Sequence, residues 1–61
     1  MNERERAIRS AKKTLASQGG RPKAAVVEAL VDRLLAGEAP LNYAERFVQM
    51  GLQVEGFLRT S

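Results

Sequence analysis

The side chains best suited to binding an anion are concentrated near the N-terminus. Residues 1–23 hold seven Lys and Arg side chains against two Glu, a charge of +5, whereas residues 24–61 hold three against five carboxylates, a charge of −2. The formal net charge of +3 hides this division. A basic segment joined to an acidic, apolar body predicts that residues 1–23, the basic arm, meet a polyanion and that the body meets protein.

The most distinctive local pattern is Gly-Gly-Arg-Pro-Lys at residues 19–23. Glycine allows close approach, proline holds the backbone extended, and Arg21 and Lys23 can then reach phosphates or the floor of a narrow minor groove. The segment resembles the minor-groove arm that precedes the DNA-binding domain of DNA invertases, and also the core of an AT-hook. That resemblance implies contact with duplex DNA. The same residues would equally serve as a plain loop followed by a helix start.

A second basic feature lies on the first predicted helix. Arg6, Arg9 and Lys13 share one helical face through i+3 and i+4 spacing, which favours contacts with successive phosphates. The alternative is a solvated face that is partly paired internally, for example Glu5 with Arg9. The predicted nucleic-acid-binding residues are Arg6, Arg9, Lys12, Lys13, Arg21 and Lys23.

The chain offers little material for catalysis. It contains no His and no Cys, so the usual general base and the strongest nucleophile are missing. Glu28 and Asp32 share a helix face but lack a third ligand, which favours a solvated strip over a cation site. We therefore expect a protein that is not an enzyme, with no metal and no cofactor.

The periodicity predicts an all-α fold of three short helices at about 3–17, 23–36 and 43–58, in a single domain spanning residues 1–61. Asn2 is a candidate N-cap of the first helix, and only Ile8 and Leu15 are large apolar residues on its stripe, so we expect this helix to be weakly packed. Pro22 suits the first position of the second helix, and Gly37 suits its end.

The third helix is predicted to begin at a capping box formed by Asn42 and Glu45. Its apolar residues run through Gly51. Two alternatives remain: a turn at Gly51 between two short helices, or a short strand over 52–58. The invertase resemblance continues through the end of the second helix, but a helix-turn-helix with its turn at Gly51 needs a small residue where Phe47 stands. The predicted third-helix stripe is Phe47, Met50, Val54, Phe57 and Leu58.

The second helix is apolar around much of its circumference and must be covered on more than one side. Since a chain of this length has few other ways to gain stability, we expect a helical homodimer, with monomeric three-helix packing as the alternative. The predicted dimer or partner interface is Val27, Leu30, Val31, Leu34, Phe47, Met50, Val54 and Phe57.

These patterns predict a small nucleic-acid-binding regulator of phage, plasmid or bacterial type, whose partner is duplex DNA. The rival hypothesis is a protein-binding module, such as an inhibitor, an antitoxin-like protein or an assembly adaptor, that uses an apolar helix face. No apolar run is long enough to cross a membrane, so no membrane partner is expected. The absence of Cys and of a visible signal peptide favours a cytoplasmic, intracellular location.

Overall fold

The computed structural model describes residues 2–58 and confirms an all-helical fold. Within those residues there are three α-helices and no strand: α1 Glu3–Ser17, α2 Ala24–Leu35 and α3 Tyr43–Val54. Met1 and residues 59–61, which the single-domain prediction also covers, lie outside the described residues. In residues 2–58 no helix has both the length and the apolar character needed to cross a membrane.

The first helix begins and ends as the sequence predicts. The Asn2 side chain caps it by accepting a 2.8 Å hydrogen bond from the backbone N–H of Glu5. At the other end Gly19 has a φ of +83°, a left-handed conformation that costs glycine little. This allows the N–H of Gly20 to bond to the carbonyl of Leu15 at 3.0 Å, which satisfies an otherwise free carbonyl at the end of α1.

The second helix is slightly shorter than the predicted 23–36. Lys23 is its N-cap, with extended backbone and no side-chain hydrogen bond, so Pro22 precedes the helix instead of opening it. Gly37 has a φ of +90°, and the N–H of Glu38 reaches back to the carbonyl of Arg33 at 3.0 Å. These two features form the glycine-terminated helix end that the sequence predicts.

The third helix passes through Gly51, which excludes both a turn at Gly51 and a strand over 52–58. The predicted continuation to residue 58 is also wrong, because α3 ends at Val54. Gly56 takes a φ of +87°, and the N–H of Phe57 bonds to the carbonyl of Leu52 at 2.8 Å. This chain reversal lets Phe57 and Leu58 pack back against the core.

The first helix is the centre of the packing, contrary to the expectation that it would be loosely held. It lies closely against both α2 and α3, which approach each other at fewer points. Close approach is possible because Ala7 and Ala11, both fully buried, have small side chains. The buried apolar core consists of Ala7, Ala11, Val27, Leu30, Val31, Leu34, Val48 and Leu52.

A carboxylate fixes the corner between α2 and α3. Glu45, only 8% exposed, accepts hydrogen bonds from both terminal nitrogens of Arg33, at 3.0 and 2.6 Å. It also accepts one from the backbone N–H of Leu41 at 3.0 Å, while its own N–H donates to the Asn42 side chain. The predicted capping box therefore forms with one difference: the Glu45 side chain bonds to the residue before the cap and not to the cap itself.

Candidate nucleic-acid interface

Two of the arginines are neutralised within the fold. The Arg4 Nε lies 2.7 Å from a carboxylate oxygen of Asp32, and its Nη2 lies 3.5 Å from Glu28. The hydrogen bond from Arg4 lowers the pKa of Asp32, and the same bond raises the pKa of Arg4. Glu28 and Asp32 stay about half exposed, as expected for a solvated strip, and through Arg4 they also join the N-terminal end of α1 to α2.

The other internal pair is Arg33 with Glu45 at the corner between α2 and α3. The bidentate hydrogen bond from Arg33 lowers the pKa of Glu45, against the opposing effect of burial, and the Leu41 N–H lowers it further. The same contact raises the pKa of Arg33. Within residues 2–58, Arg4 and Arg33 therefore pair with three carboxylates of the body, namely Glu28, Asp32 and Glu45.

The predicted nucleic-acid-binding cations have no such partners. Each of the six is exposed, and none makes an ion pair with a carboxylate within residues 2–58. In particular, the alternative pairing of Glu5 with Arg9 does not form there. The side chains in this group are Arg6, Arg9, Lys12, Lys13, Arg21 and Lys23. Exposed cationic side chains that make no ion pair in the folded protein can bind phosphates without first breaking an internal pair.

Three of these cations line one shallow concavity between α1 and the end of α3. Arg6, Arg9 and Lys13 form its basic side, as their helical spacing predicts, and Phe57 forms part of the opposite side. The Arg6 guanidinium carbon lies 5.7 Å from the centre of the Phe57 ring, within cation–π range. The ring therefore restrains Arg6 while leaving its N–H donors available.

One carboxylate also lines this concavity. The Ser10 hydroxyl donates a hydrogen bond to the side chain of Glu55, which ties the end of α3 to α1. Ser10 lies on α1 itself, but Glu55 and Phe57 are far from the basic row along the chain, so no local pattern singled them out as its neighbours. The chain reversal at Gly56 turns Phe57 toward α1. The only local signal was that glycine.

The remaining predicted cations lie elsewhere. Arg21 and Lys23 occupy the connection between α1 and α2, where the backbone of Lys23 is extended, with φ −70° and ψ 146°. Neither they nor Lys12 line the concavity with Arg6 and Phe57. The basic surface therefore has two parts: a row along α1 and an extended segment that follows the end of α1.

The predicted interface residues divide into two groups. The four on α2, namely Val27, Leu30, Val31 and Leu34, are buried within the single chain. On α3, by contrast, Phe47, Met50 and Val54 are exposed, and Val48 and Leu52 face the core in their place. Phe57 is partly buried against the core.

The exposed surface of α3 is apolar where a DNA-reading helix would carry donors. Its large exposed residues are Tyr43, Phe47, Met50 and Val54, and its one cation is Arg46. Base edges in the major groove are read by hydrogen-bonding side chains, so this surface is unsuited to that role. Sequence reasoning missed Tyr43 as a member of this surface, although it stands one helical turn before Phe47.

A scan against protein-family models finds no match, and searches of curated proteins and of solved structures find none either. The side chains and their arrangement are therefore the basis for assigning a function.

Proposed function

We propose that this protein is a small non-enzymatic nucleic-acid-binding regulator that acts in the cytoplasm and binds duplex DNA through α1 and the segment after it. One observation carries the proposal. Arg4 and Arg33 pair with three of the five carboxylates of residues 24–61, while the six cations of the basic surface are exposed and make no ion pair within residues 2–58. The six cations other than Arg4 in residues 1–23 are thus available to an anionic partner.

Binding would be dominated by phosphate contacts. Arg6 and Lys13 are seven residues apart on one helix, which spans about 10 Å at 1.5 Å per residue. Such a row follows a phosphate backbone and carries little sequence information by itself. Lys23 has extended backbone, and Gly20 and Pro22 lie on either side of Arg21, so Arg21 and Lys23 are the residues able to enter a minor groove.

The salt dependence of binding tests this proposal. Contacts from Arg6, Arg9, Lys13, Arg21 and Lys23 would neutralise about five phosphates, which gives a slope of roughly −4.5 in a plot of log K against log salt concentration. Affinity should then fall roughly five-hundredfold between 50 and 200 mM NaCl. Fluorescence anisotropy of a labelled duplex measures this directly.

Two variants and one control complete the experiment. The triple variant R6Q/R9Q/K13Q should lower the magnitude of the slope by about 2.7, and R21A/K23A by about 1.8. Arg46→Gln removes one exposed cation from α3 and should leave the slope unchanged. A protein that does not bind duplex DNA at 50 mM salt, or variants that bind as tightly as the parent, would rule the proposal out.

The exposed apolar face of α3 favours a second candidate function, a protein-binding module. That function predicts a chain without affinity for nucleic acid whose thermal stability rises when one protein partner is added. The anisotropy titration separates the two candidates, since only the first shows a steep loss of affinity with salt.

A further inference from the structure

The α3 helix carries two apolar faces on opposite sides. Val48 and Leu52 face the core, whereas Tyr43, Phe47, Met50 and Val54 form an outward stripe, here called the α3 seam. Their exposed fractions are 81%, 47%, 53% and 88%. Spacings of four, three and four residues are those of the seam between two paired helices.

The spacing of the α3 seam residues is the same from either end of the helix. If a second α3 lies against it in the antiparallel sense, Tyr43 meets Val54 of the second copy, and Phe47 meets Met50 of the second copy. Each large side chain then opposes an apolar one, and the relation is mutual, as a two-fold interface requires. A seam that is complementary to itself needs no other partner.

The residues beside the seam fit the same arrangement. On one side the flanking residues are small: Ala44 is exposed, and Gly51 lies against Thr14 of α1. On the other side Arg46 would face Gln53 of the second copy, so no like charges are opposed on that side. We infer that the α3 seam binds a second copy of this chain as an antiparallel helix pair.

The available area determines how tight this pair is. The two rings expose roughly 250 Å² per chain, taking about 200 Å² for a whole aromatic side chain. Met50 and Val54 bring this to roughly 400 Å² per chain, or about 800 Å² for the pair. That is the size of a weak, concentration-dependent association, in keeping with a chain that already closes its own core.

The pairing also determines where the basic surfaces lie, a step that rests on the proposed function. The first helix lies on the Gly51 side of the seam, with the Thr14 hydroxyl against Gly51 and Ser10 bonded to Glu55. A two-fold axis perpendicular to both α3 helices keeps each α1 on that same side. One duplex could therefore contact the rows of Arg6, Arg9 and Lys13 from both copies.

Analytical sedimentation of the protein without nucleic acid tests whether the α3 seam forms a dimer. The parent should move from monomer to dimer as its concentration rises, and Met50→Glu should raise the dissociation constant at least tenfold. Ala25→Glu places the same charge on an exposed position of α2 and should leave it unchanged. Circular dichroism of both variants confirms that they fold. A parent that stays monomeric at millimolar concentration, or a Met50→Glu protein that dimerises like the parent, overturns the inference.

Disulfide trapping tests the antiparallel direction, and the chain suits it because the sequence contains no Cys. In the antiparallel pair, two copies of one seam-end position are separated by about 16 Å along the helices, too far for a disulfide. Tyr43→Cys and Val54→Cys should therefore cross-link only when mixed. Cross-linking of either variant alone would show a parallel pair and would refute the arrangement.

The outcomes separate this inference from the proposed function. A monomer that binds duplex DNA with the expected salt slope refutes the α3 pairing and leaves the proposed function standing. A dimer that forms the mixed disulfide but has no affinity for DNA supports the α3 pairing and refutes the proposed function. A parent whose dimer is displaced by another protein at the α3 seam would overturn self-association as its role.

Discussion

The corner between α2 and α3 gives the sharpest stability prediction. Glu45 is nearly buried and accepts three hydrogen bonds, two from Arg33 and one from the N–H of Leu41. Replacing Glu45 by Ala removes all three acceptor contacts together. The substitution leaves the Asn42 cap intact, because that bond uses the backbone N–H of residue 45.

The expected loss follows from what the freed donors can do. A hydrogen bond to a charged group contributes about 1.5–3 kcal/mol, but Arg33 retains 30% side-chain exposure and Leu41 is 74% exposed, so both donors can regain water. We therefore expect Glu45→Ala to lower the free energy of unfolding by about 2 kcal/mol. For a domain of this size that corresponds to a fall in Tm of roughly 8–16 °C. Glu45→Gln, which keeps the shape and one acceptor oxygen, should lose about half as much.

The contribution of Glu45 should depend on pH in a definite direction. Arg33 and the Leu41 N–H lower the pKa of this carboxyl in the folded state below its ordinary value of 4.5. The folded protein thus favours the ionised form, so the stabilisation is complete above pH 4.5 and is lost as the pH falls through the lowered value. The stability difference between the parent and Glu45→Gln should be constant near neutrality and should shrink in acid.

Thermal unfolding followed by circular dichroism, from pH 7 down to pH 2.5, measures both quantities. Subtracting the variant from the parent removes the contribution of Asp32, whose pKa is also lowered. A loss below about 0.5 kcal/mol for Glu45→Ala at pH 7, comparable to that of an ordinary surface substitution, would refute the reasoning. So would a difference from Glu45→Gln that persists unchanged at pH 2.5.

Two further substitutions test α1 and α3, the helices that carry the proposed binding surfaces. Asn2→Ala should lower the free energy of unfolding by about 1 kcal/mol, because the backbone N–H of Glu5 loses its capping acceptor. Asn2→Asp keeps an acceptor and should cost little. Urea denaturation measures both variants, and an Asn2→Ala protein as stable as the parent would contradict the cap. Gly51→Ala adds a β-carbon 3.3 Å from the Thr14 hydroxyl oxygen, which opposes the gain of about 1 kcal/mol expected from helix propensity. Gly51→Ala should therefore stabilise a Thr14→Ala variant by about 1 kcal/mol and the parent by less. A lower free energy of unfolding in both backgrounds would show that α1 and α3 cannot move apart at this contact.

Much of the fold is local and was therefore predictable. The caps at Asn2 and Asn42 and the glycine end at Gly37 are signals within a few residues, and each helix start was placed to within one residue. The end of α3 was missed because apolar spacing continued to Leu58. Glycine at position 56 ended the helix, and its left-handed conformation outweighed the periodicity.

The orientation of the helices was less accessible. Spacing identifies an apolar stripe but not the direction in which it points, and α3 has apolar residues on two sides. Phe47 and Met50 were predicted as members of the stripe and of the dimer or partner interface, whereas Val48 and Leu52 are the α3 residues that join Ala7 and Ala11 in the core. The fit between opposing surfaces decided this, and it cannot be read from one segment alone.

The candidate site was likewise predictable only where its residues are close together in the sequence. Arg6, Arg9 and Lys13 were placed together because their spacing belongs to a single helix. The pairing of Arg4 with Glu28 and Asp32 joins residues more than twenty positions apart, so no local pattern could predict it. Together with the Arg33–Glu45 pair, that long-range pair distinguishes the arginines held in ion pairs from Arg6, Arg9 and Arg21.

The small side chains at the centre of the packing also affect the cost of folding. Alanine has no side-chain rotamers to lose on burial, whereas a buried leucine loses about 0.5–1 kcal/mol of rotamer freedom. At Ala7 and Ala11, α1 gains dispersion contacts at almost no side-chain entropy cost, whereas its partly buried Ile8 and Leu15 lose some rotamer freedom against the core. A chain of 61 residues, with little apolar area to bury, can in this way order its most highly charged helix before any ligand is present.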